Sequence, residues 1–169
     1  MKKIMILNGS ARTNGKTSAL TRAFIEGAEQ NGNEVREFFL TKMNIRECTG
    51  CDACVLGKVA TCAQKDDMES IYEAYEWADV VVFASPLYWW HITGLLKMAV
   101  DRLYSTINRL GHDGFCRDSV LLMTANSLDW DQPLAWYSGF INVLKWNNLG
   151  IVLGTGKTKE AQLLGASII

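Results

Sequence analysis

The sequence predicts an α/β protein in which a five-stranded parallel sheet lies between two layers of helices. Strand-like and helix-like patterns alternate along all 169 residues, with no internal repeat or linker. The third predicted strand, Asp79–Ser85, contains the uninterrupted apolar and largely β-branched run VVVFA, as expected of a strand covered on both faces. Strands that alternate with helices are joined by right-handed crossovers and therefore pair in parallel. We expect one domain over residues 1–169.

Composition excludes several classes of protein. The 17 Lys and Arg residues nearly balance the 18 Asp and Glu residues, whereas a nucleic-acid binder would carry a basic surplus. No apolar run approaches the roughly 18 residues that a membrane span needs, and no secretory segment follows Met1. We therefore expect a soluble, cytoplasmic protein. Five cysteines without an export signal argue against a disulfide framework.

The first half of the chain predicts three strands and two helices. Ile4–Leu7 is the first strand. A helix follows in which one face carries five small or apolar residues (Leu20, Ala23, Phe24, Gly27 and Ala28). Gly32 ends that helix, and Val35–Leu40 is the second strand. Asp66 or Asp67 can cap a helix that buries Met68, Ile71, Tyr72 and Tyr75, and Asp79–Ser85 follows as the third strand.

The second half continues the alternation. His91–Leu103 has helical spacing, and His112 with Asp113-Gly114 predicts a turn. Ser119–Thr124 is the fourth strand. A helix over about Asp131–Trp146 accepts Pro133 in its first turn, where a missing N–H costs little. Leu149–Leu153 is the fifth strand, and a short helix closes the chain.

The stretch Ile4–Ser18, IMILNGSARTNGKTS, predicts an anion site. A strand, a small polar loop and a helix start place unpaired backbone N–H groups and the positive end of a helix dipole together. Ser10, Thr17 and Ser18 add hydroxyl groups, and Arg12 adds a positive charge. We interpret the loop as the phosphate site of a phosphorylated cofactor; the alternative is a surface loop capped by Asn14.

Two familiar phosphate motifs do not match this loop. Five residues, instead of the four of a Walker A motif, separate Gly9 from Gly15-Lys16-Thr17, and no Mg²⁺-binding Asp ends a later strand. A dinucleotide fingerprint is absent as well, because no glycine lies two residues after Gly9. The remaining interpretation is that a smaller phosphate group binds in a Ser/Thr-rich loop.

Ligands of such sheets bind outside the carboxyl ends of the strands, where the strand order reverses. The loops Asn8–Thr17, Ser85–His91 and Thr124–Trp130 should therefore converge. The second loop contains Pro86 and an aromatic cluster that suits a planar heteroaromatic ligand. The alternative is that these aromatic residues are ordinary core or interface side chains. Thr124 and Asn126 add small polar groups at the same point.

At these residues the sequence resembles the flavodoxin-like NAD(P)H-dependent FMN reductases. The similar segments are Gly9-Ser10-x-Arg12-x-x-Gly15-x-Thr17, Ser85-Pro86-x-Tyr88 and Leu96-Lys97-x-x-x-Asp101-Arg102. The resemblance implies strand order 2-1-3-4-5 and FMN as the cofactor. It also implies transfer of hydride from NAD(P)H to flavin N5, with no catalytic residue from the protein, and onward to a quinone, nitro-aromatic or flavin acceptor. Homodimers or homotetramers are implied too.

The resemblance also assigns residues to the parts of FMN. Those implied to hold its phosphate are Ser10, Arg12, Asn14, Gly15, Thr17 and Ser18. Those implied to line its isoalloxazine ring are Pro86, Leu87, Tyr88 and Trp89, and Thr124 with Asn126 complete the site. Lys97, Asp101 and Arg102 are expected to form a salt bridge or a subunit contact.

Four cysteines follow the pattern Cys48-x2-Cys51-x2-Cys54-x7-Cys62. Thiolates at this spacing can hold a [4Fe–4S] cluster or a zinc ion, and the spacing resembles that of the iron–sulfur flavoproteins, a branch of the same family. A loop without metal is the third interpretation. An electron carrier that joins FMN to a cluster is therefore an alternative function, and a binding module for another nucleotide is a further one. Cys116 lies apart and is expected in the core.

Overall fold

The computed structural model describes residues 1–126 and 129–169. Within them, five strands alternate with six helices. In chain order these are β1 (Lys3–Asn8), α1 (Lys16–Gln30), β2 (Glu34–Phe39), α2 (Met68–Trp77), β3 (Val80–Pro86), α3 (Gly94–Arg102), α4 (Tyr104–Phe115), β4 (Asp118–Thr124), α5 (Asp131–Leu144), β5 (Asn147–Leu153) and α6 (Thr158–Ala166).

The sheet is parallel and has the order β2-β1-β3-β4-β5, which confirms the predicted fold and order. The central strand β1 pairs with β2 on one side, where Ile4 lies opposite Val35, and with β3 on the other, where Ile4 lies opposite Val80. The chain therefore changes direction across the sheet between β1 and β3. That switch point is where the carboxyl ends of two strands leave a crevice between their loops.

Two apolar cores cover the faces of the sheet. Because side chains alternate along a strand, Met5 and Leu7 of β1 enter the core formed with α2, α3 and α5. Ile4 and Ile6 enter the second core, which is formed with α1 and α6. All four side chains are fully buried. Because helices cover both faces of the sheet, its central strands are apolar on both faces.

Helix α4 corrects the expectation of a turn at His112 and Asp113-Gly114. The helix runs from Tyr104 to Phe115, and its regular backbone is interrupted at Gly111, which has φ 71°. Glycine adopts this left-handed conformation without the steric cost of a Cβ. Residues His112–Gly114 are therefore helical, and the break between the two helical segments of α4 lies just before them, at Gly111.

Several boundaries also differ from the expected ones. Leu40 leaves β2 for a short 3₁₀ turn over Leu40–Lys42. Helix α3 begins at Gly94 instead of His91, because Thr93 caps it by accepting a hydrogen bond from the amide of Leu96. Helix α5 ends at Leu144, where Lys145 takes a left-handed conformation and turns the buried Trp146 into the core. In the part of the chain that the structure describes, no helix combines the length and apolarity of a membrane span.

Candidate functional site

The three loops after β1, β3 and β4 converge on one groove, as the sequence predicted. The groove has a volume of about 240 Å³ and lies at the carboxyl end of the sheet. Its lining consists of Ser10, Arg12, Gly15, Lys16, Thr17, Pro86, Tyr88, Thr124, Ala125, Asn126 and Thr155. Of the third loop, Ser127 and Leu128 lie outside the described residues.

The loop between β1 and α1 folds around the carbonyl oxygen of Arg12. The amide of Gly15 donates to this oxygen at 3.1 Å, and the hydroxyls of Ser10 and Ser18 donate to it at 3.0 and 3.1 Å. The amide of Arg12 in turn donates to Ser10 Oγ at 3.1 Å, and the Asn8 side chain accepts from the amide of Ser10 at 3.0 Å. Ser10 and Ser18 therefore shape the loop from inside it.

Gly9 packs the loop against the start of α3. The amide of Gly9 donates to Ala84 of β3 at 2.8 Å, and its carbonyl accepts from Thr93 Oγ1 at 2.8 Å. A Cβ on Gly9 would lie 2.5 Å from Thr93 Oγ1 and 2.8 Å from Leu96 Cβ, which is closer than packed atoms approach. Glycine at this position thus sets the distance between the first loop and α3.

The groove has the chemistry of an anion site. Helix α1 begins at Lys16 with Gly15 as its N-cap, so Asn14 is not the cap. The first amides of the helix have no partner within it. Thr17 Oγ1 lies 2.7 Å from Thr124 Oγ1, and because this bond uses one hydroxyl hydrogen, the other can donate to a ligand.

The charges of the groove agree with that chemistry. Among the described residues that line it, Arg12 and Lys16 are cationic and none is acidic. Lys16 Nζ donates to Asn126 Oδ1 at 3.2 Å and so joins the first and third loops. A phosphate group is the common biological anion that matches unpaired amides, a hydroxyl and two cations.

A tight aromatic turn stands at the mouth of the groove. Tyr88 and His91 exchange two backbone hydrogen bonds, of 2.9 and 3.0 Å, around Trp89 and Trp90. The two tryptophans have φ values of 50° and 58°, which are typical of a type I′ turn. Trp89 is 88% exposed, while Tyr88 and Trp90 are about half exposed. This turn therefore presents ring surface to solvent from a strained backbone.

The structure brings most of the residues predicted for a cofactor into the groove, but not all of them. Asn14, Ser18, Leu87 and Trp89 do not line it. Ser18 is buried behind the loop, and Leu87 packs against the core. Trp89 lines a separate open hollow with Trp90, His91, Asp129 and Gln132.

Sequence reasoning missed three groove residues. They are Lys16, Ala125 and Thr155. The sequence signal at Lys16 is the incomplete Walker motif of which it is part. Thr155 follows β5, and its hydroxyl donates to the carbonyl of Ala125 at 3.1 Å. Applying the carboxyl-end rule to the fifth strand as well would have found it.

A second candidate site is the cysteine loop. Cys48, Cys51, Cys54 and Cys62 all line one cavity of about 140 Å³, whose far wall is formed by the end of α3 and the start of α4. All four are free thiols. Hydrogen bonds from the Ala53 backbone and from the Thr49 hydroxyl lower the pKa of Cys51, which favours the thiolate that binds metals. Cys116 lies elsewhere and is half-buried near Leu144, so the expectation that it belongs to the core was wrong.

Hydrogen bonds close the neck of the cysteine loop. Asp67 Oδ2 accepts from the amide of Asn44 at 2.7 Å, and the Gln64 side chain donates to the carbonyl of Glu47 at 2.8 Å. These hydrogen bonds hold together the two ends of the segment that carries the four cysteines.

A buried ion pair fastens this neck to α3. The Asp66 and Arg102 side chains are each 1% exposed and lie 2.8 Å apart. Burial opposes ionisation of Asp66, but hydrogen bonds from Arg102 and from the amides of Arg46 and Met68 outweigh it and lower its pKa. The salt bridge predicted in this segment is thus confirmed for Arg102, and Lys97 pairs with Asp101 at 2.5 Å.

The four cysteines line one cavity without converging on a single point. Within residues 1–126 and 129–169, no three His, Cys, Asp or Glu side chains come close enough together to hold a metal ion. Zinc and a [4Fe–4S] cluster both use thiolate donors, so the chemistry of the four thiols is the feature that the two metal interpretations share.

Comparisons with known proteins agree with this geometry. The sequence model of the NADPH-dependent FMN reductase family matches residues 2–125. An iron–sulfur flavoprotein of Methanocaldococcus jannaschii is 38% identical over 100 residues, which are 59% of this chain and 50% of that protein. The chain spans about half the length of the curated relatives that it matches.

Solved structures share the fold. RosB, solved with bound 8-demethyl-8-formylriboflavin-5'-phosphate, superposes with a TM-score of 0.79 at 17% identity over 98% of this chain and 77% of its own. An NAD(P)H:quinone oxidoreductase from Methanothermobacter marburgensis has a TM-score of 0.73 at 17% identity over 98% of this chain and 94% of its own. At this identity the likeness establishes the architecture alone.

Proposed function

Because the chain belongs to the NADPH-dependent FMN reductase family, we propose that it binds FMN in the groove at the carboxyl end of the sheet and oxidises NAD(P)H. One observation carries this proposal: three loops enclose a groove that has two cations, unpaired helix amides and no acidic residue among its described lining. When bound, FMN accepts hydride from a nicotinamide and passes electrons to a quinone, nitro-aromatic or flavin acceptor.

The phosphate end of FMN is assigned to the first loop. Arg12 and Lys16 supply positive charge, and the Thr17–Thr124 pair supplies a hydroxyl hydrogen. Ser10, Gly15 and Ser18 also act through the loop: Ser10 and Ser18 hold its shape, and Gly15 is the N-cap of α1. A preformed loop pays less ordering entropy when an anion binds.

The flavin ring is assigned to the second and third loops. Pro86 and Tyr88 line the groove at its aromatic mouth, together with Asn126. Leu87 fixes this loop, because its amide donates to the carbonyl of Thr124 at 2.9 Å. Trp89 lies next to the groove on the exposed turn. Apolar ring surface beside free backbone groups suits a planar heteroaromatic ligand. Such a ligand, once bound, also excludes water from the face that the protein covers.

A comparison of FMN with riboflavin tests the phosphate assignment. We expect the native protein to bind FMN more tightly than riboflavin, which lacks the phosphate. In an Arg12→Ala/Lys16→Ala variant we expect FMN affinity to fall by about 10- to 100-fold, as for the loss of charge-assisted hydrogen bonds, with riboflavin affinity nearly unchanged. Fluorescence quenching measures both affinities.

The control is Lys159→Ala, which removes an exposed lysine on α6. Its FMN affinity should equal that of the native protein. Equal native affinities for FMN and riboflavin would contradict the phosphate assignment, and a colourless protein that takes up no FMN would favour a binding module for another nucleotide. An FMN-loaded protein that oxidises neither NADH nor NADPH with menadione would refute the reductase activity.

The cysteine cavity supports a second candidate function, an electron carrier with a [4Fe–4S] cluster on Cys48, Cys51, Cys54 and Cys62. The supporting observation is that all four cysteines line one cavity. Anaerobic reconstitution with iron and sulfide should give about four irons per chain and the broad visible absorbance of a cluster. Uptake of no iron would refute this function and leave the flavin groove unaffected.

We propose a homodimer or homotetramer as the assembly. Large apolar side chains are exposed, among them Trp89 and Val143, which is 73% exposed. Val143 borders an apolar groove of about 640 Å³ between α3, α4 and α5, and such surfaces mark interaction sites. Sedimentation should show an oligomer that Val143→Glu weakens and Leu163→Glu, on α6, leaves intact. A monomer at all concentrations would contradict this assembly.

A further inference from the structure

Glu37 of β2 is a half-buried glutamate at the base of the loop assigned to the phosphate of FMN. Its Oε1 accepts a hydrogen bond from Asn8 Nδ2 at 2.9 Å and another from Thr21 Oγ1 at 2.7 Å. Asn8 is the last residue of β1, and Thr21 lies in the second turn of α1; both are fully buried. One carboxylate oxygen therefore joins the two elements that the loop connects.

Asn8 links Glu37 to the inside of that loop. Its Nδ2 also donates to Ser18 Oγ at 3.3 Å, and its Oδ1 accepts from the amide of Ser10 at 3.0 Å. A carboxylate can only accept and a backbone amide can only donate, so these two partners allow one orientation of the Asn8 side chain. Ser10 and Ser18 then donate to the carbonyl oxygen of Arg12. A continuous set of hydrogen bonds thus runs from Glu37 to the centre of the loop.

Glu37 is used as a hydrogen-bond acceptor and not as half of a charge pair. In the described part of the chain it forms no ion pair, and it does not line the groove. By charge alone, a carboxylate close to an anion site weakens the attraction for the anion. A charged acceptor, however, forms stronger hydrogen bonds than a neutral one, which explains a carboxylate at this position.

We propose that Glu37 is a positioning residue for phosphate binding: by fixing the side chain of Asn8, it holds the loop between β1 and α1 in the conformation that receives the phosphate of FMN. This role rests on the function proposed above, since the phosphate assignment gives the loop its ligand. The loop is ordered before the ligand arrives, so less ordering entropy is lost on binding.

Glu37→Ala separates the effect of positioning from the effect of charge. Removal of a negative charge alone would tighten the binding of an anion, whereas loss of the hydrogen bond to Asn8 should weaken it. We expect FMN affinity to fall by about 3- to 10-fold, the cost of ordering one or two side chains on binding, with riboflavin affinity nearly unchanged. Fluorescence quenching of the full chain measures both affinities. FMN binding that is unchanged or tighter would overturn the role of Glu37.

Two single variants control this experiment. Glu34→Ala makes the same chemical change at the other end of β2, where Glu34 is exposed and lies opposite Lys3, and its FMN affinity should equal the native one. Glu37→Gln keeps an oxygen that can accept from Asn8 and should recover most of the lost affinity. An equal loss in Glu34→Ala, or a loss in Glu37→Gln as large as in Glu37→Ala, would overturn the proposal.

An exchange of the two side-chain groups tests the same contact and does not depend on how Glu37→Ala folds. Asn8→Asp sets two carboxylates against each other and should weaken FMN binding. In Asn8→Asp/Glu37→Gln a donor faces an acceptor again, so FMN affinity should rise above that of Asn8→Asp. Asn8→Asp/Glu34→Gln has the same total charge and should bind FMN as weakly as Asn8→Asp. Equal affinities of the two double variants would overturn the role of Glu37.

The native preference for FMN over riboflavin separates this role from the function on which it rests. Equal native affinities for the two ligands would overturn the phosphate assignment and the role of Glu37 with it. A native preference for FMN that Glu37→Ala retains in full would overturn the role of Glu37 alone.

Discussion

Asp66 and Arg102 join three parts of the chain that are far apart in sequence. Asp66 Oδ1 also accepts from the amide of Met68 at 3.2 Å, and Asp66 Oδ2 accepts from the amide of Arg46 at 3.2 Å. One carboxylate thus orders the start of α2, the entry of the cysteine loop and the end of α3. A buried charge with this many partners is stabilising only while its counter-charge remains.

The pH dependence of stability should reveal this pair. Because the native pKa of Asp66 lies below that of the unfolded chain, its contribution is complete above the ordinary carboxyl pKa of about 3.9 and is lost as the pH falls through the native value. Asp66→Asn should lower the free energy of unfolding at pH 7 by about 3–5 kcal/mol, since Arg102 is left unpaired. It should also flatten the acid decline, as measured by urea denaturation between pH 7 and 2.

Asp67→Asn is the matched control. Asp67 is the exposed neighbour, and an amide oxygen there can still accept the hydrogen bond from the backbone of Asn44. Its stability curve should stay close to the native one. If the free energy of unfolding falls in parallel for the native protein and Asp66→Asn as the pH is lowered, the ion pair does not carry the pH dependence.

At the scale of elements, α1 and α6 pack through glycines. A Cβ on Gly27 would clash with the carbonyl oxygen of Gln162, and one on Gly165 would clash with the carbonyl oxygen of Phe24. The two helix backbones therefore touch directly. The buried residues of α1 follow this contact, because Leu20, Phe24 and Ala28 lie on the covered face along with Gly27.

Gly27→Ala should destabilise the protein although alanine favours helices. The added methyl forces α1 and α6 apart, and overpacking of this kind costs about 1–3 kcal/mol. The control is Gly139→Ala in α5, where a Cβ meets nothing within 4 Å; there we expect a gain of about 0.5–1 kcal/mol from helix propensity. Thermal and urea unfolding measure both, and a neutral Gly27→Ala would contradict the backbone contact.

The aromatic turn has a strained backbone at two residues, and folding alone does not require this strain. Type I′ turns favour Asn-Gly because both central residues have φ above zero, yet Trp89 and Trp90 occupy these positions. A side chain in the left-handed region costs about 1–2 kcal/mol. Strain of this kind persists mainly where function requires it, in agreement with the place of this turn beside the proposed flavin groove.

Trp90→Gly should therefore raise the free energy of unfolding by about 1 kcal/mol, through relief of the strained backbone. Trp90→Ala is the control, because it removes the same ring and keeps a Cβ at the same φ. The glycine variant should be the more stable of the two in urea unfolding. If both have equal stability, the turn is not strained at this residue.

At the scale of the whole molecule, the groove exists because the chain reverses across the sheet. Loops that begin up to 115 residues apart, at about residues 9 and 124, meet there because β1, β3 and β4 are adjacent and parallel. Ligand binding that involves three such loops should stabilise the entire fold. Only the native state assembles the groove, so the stabilisation follows mass action.

FMN should raise the melting temperature of the protein in a concentration-dependent way. At a free concentration 100-fold above Kd, the expected gain is about 2.7 kcal/mol. Riboflavin should give a smaller shift at the same concentration, and the Arg12→Ala/Lys16→Ala variant should lose most of the difference between the two ligands. Differential scanning calorimetry measures the shift; equal shifts for FMN and riboflavin would contradict a phosphate-based groove.

Most of the architecture was predictable because it depends on local signals. The period of apolar residues defined strands and helices, and the carboxyl-end rule located the groove. Helix α4 escaped prediction because Gly111 breaks its pattern, and its His112–Gly114 segment has the composition of a turn. Thr155 escaped because the strand order reverses between β1 and β3, whereas Thr155 follows the edge strand β5.

The sequence by itself determined the alternation of elements, the polar loop that opens α1 and the grouping of four cysteines in one loop. Only the tertiary structure decided which side chains face each other: Asp66 with Arg102, and Thr17 with Thr124. The physical reason is that periodicity is read over a few residues of one element. Burial and hydrogen-bond partners, in contrast, depend on how distant elements pack.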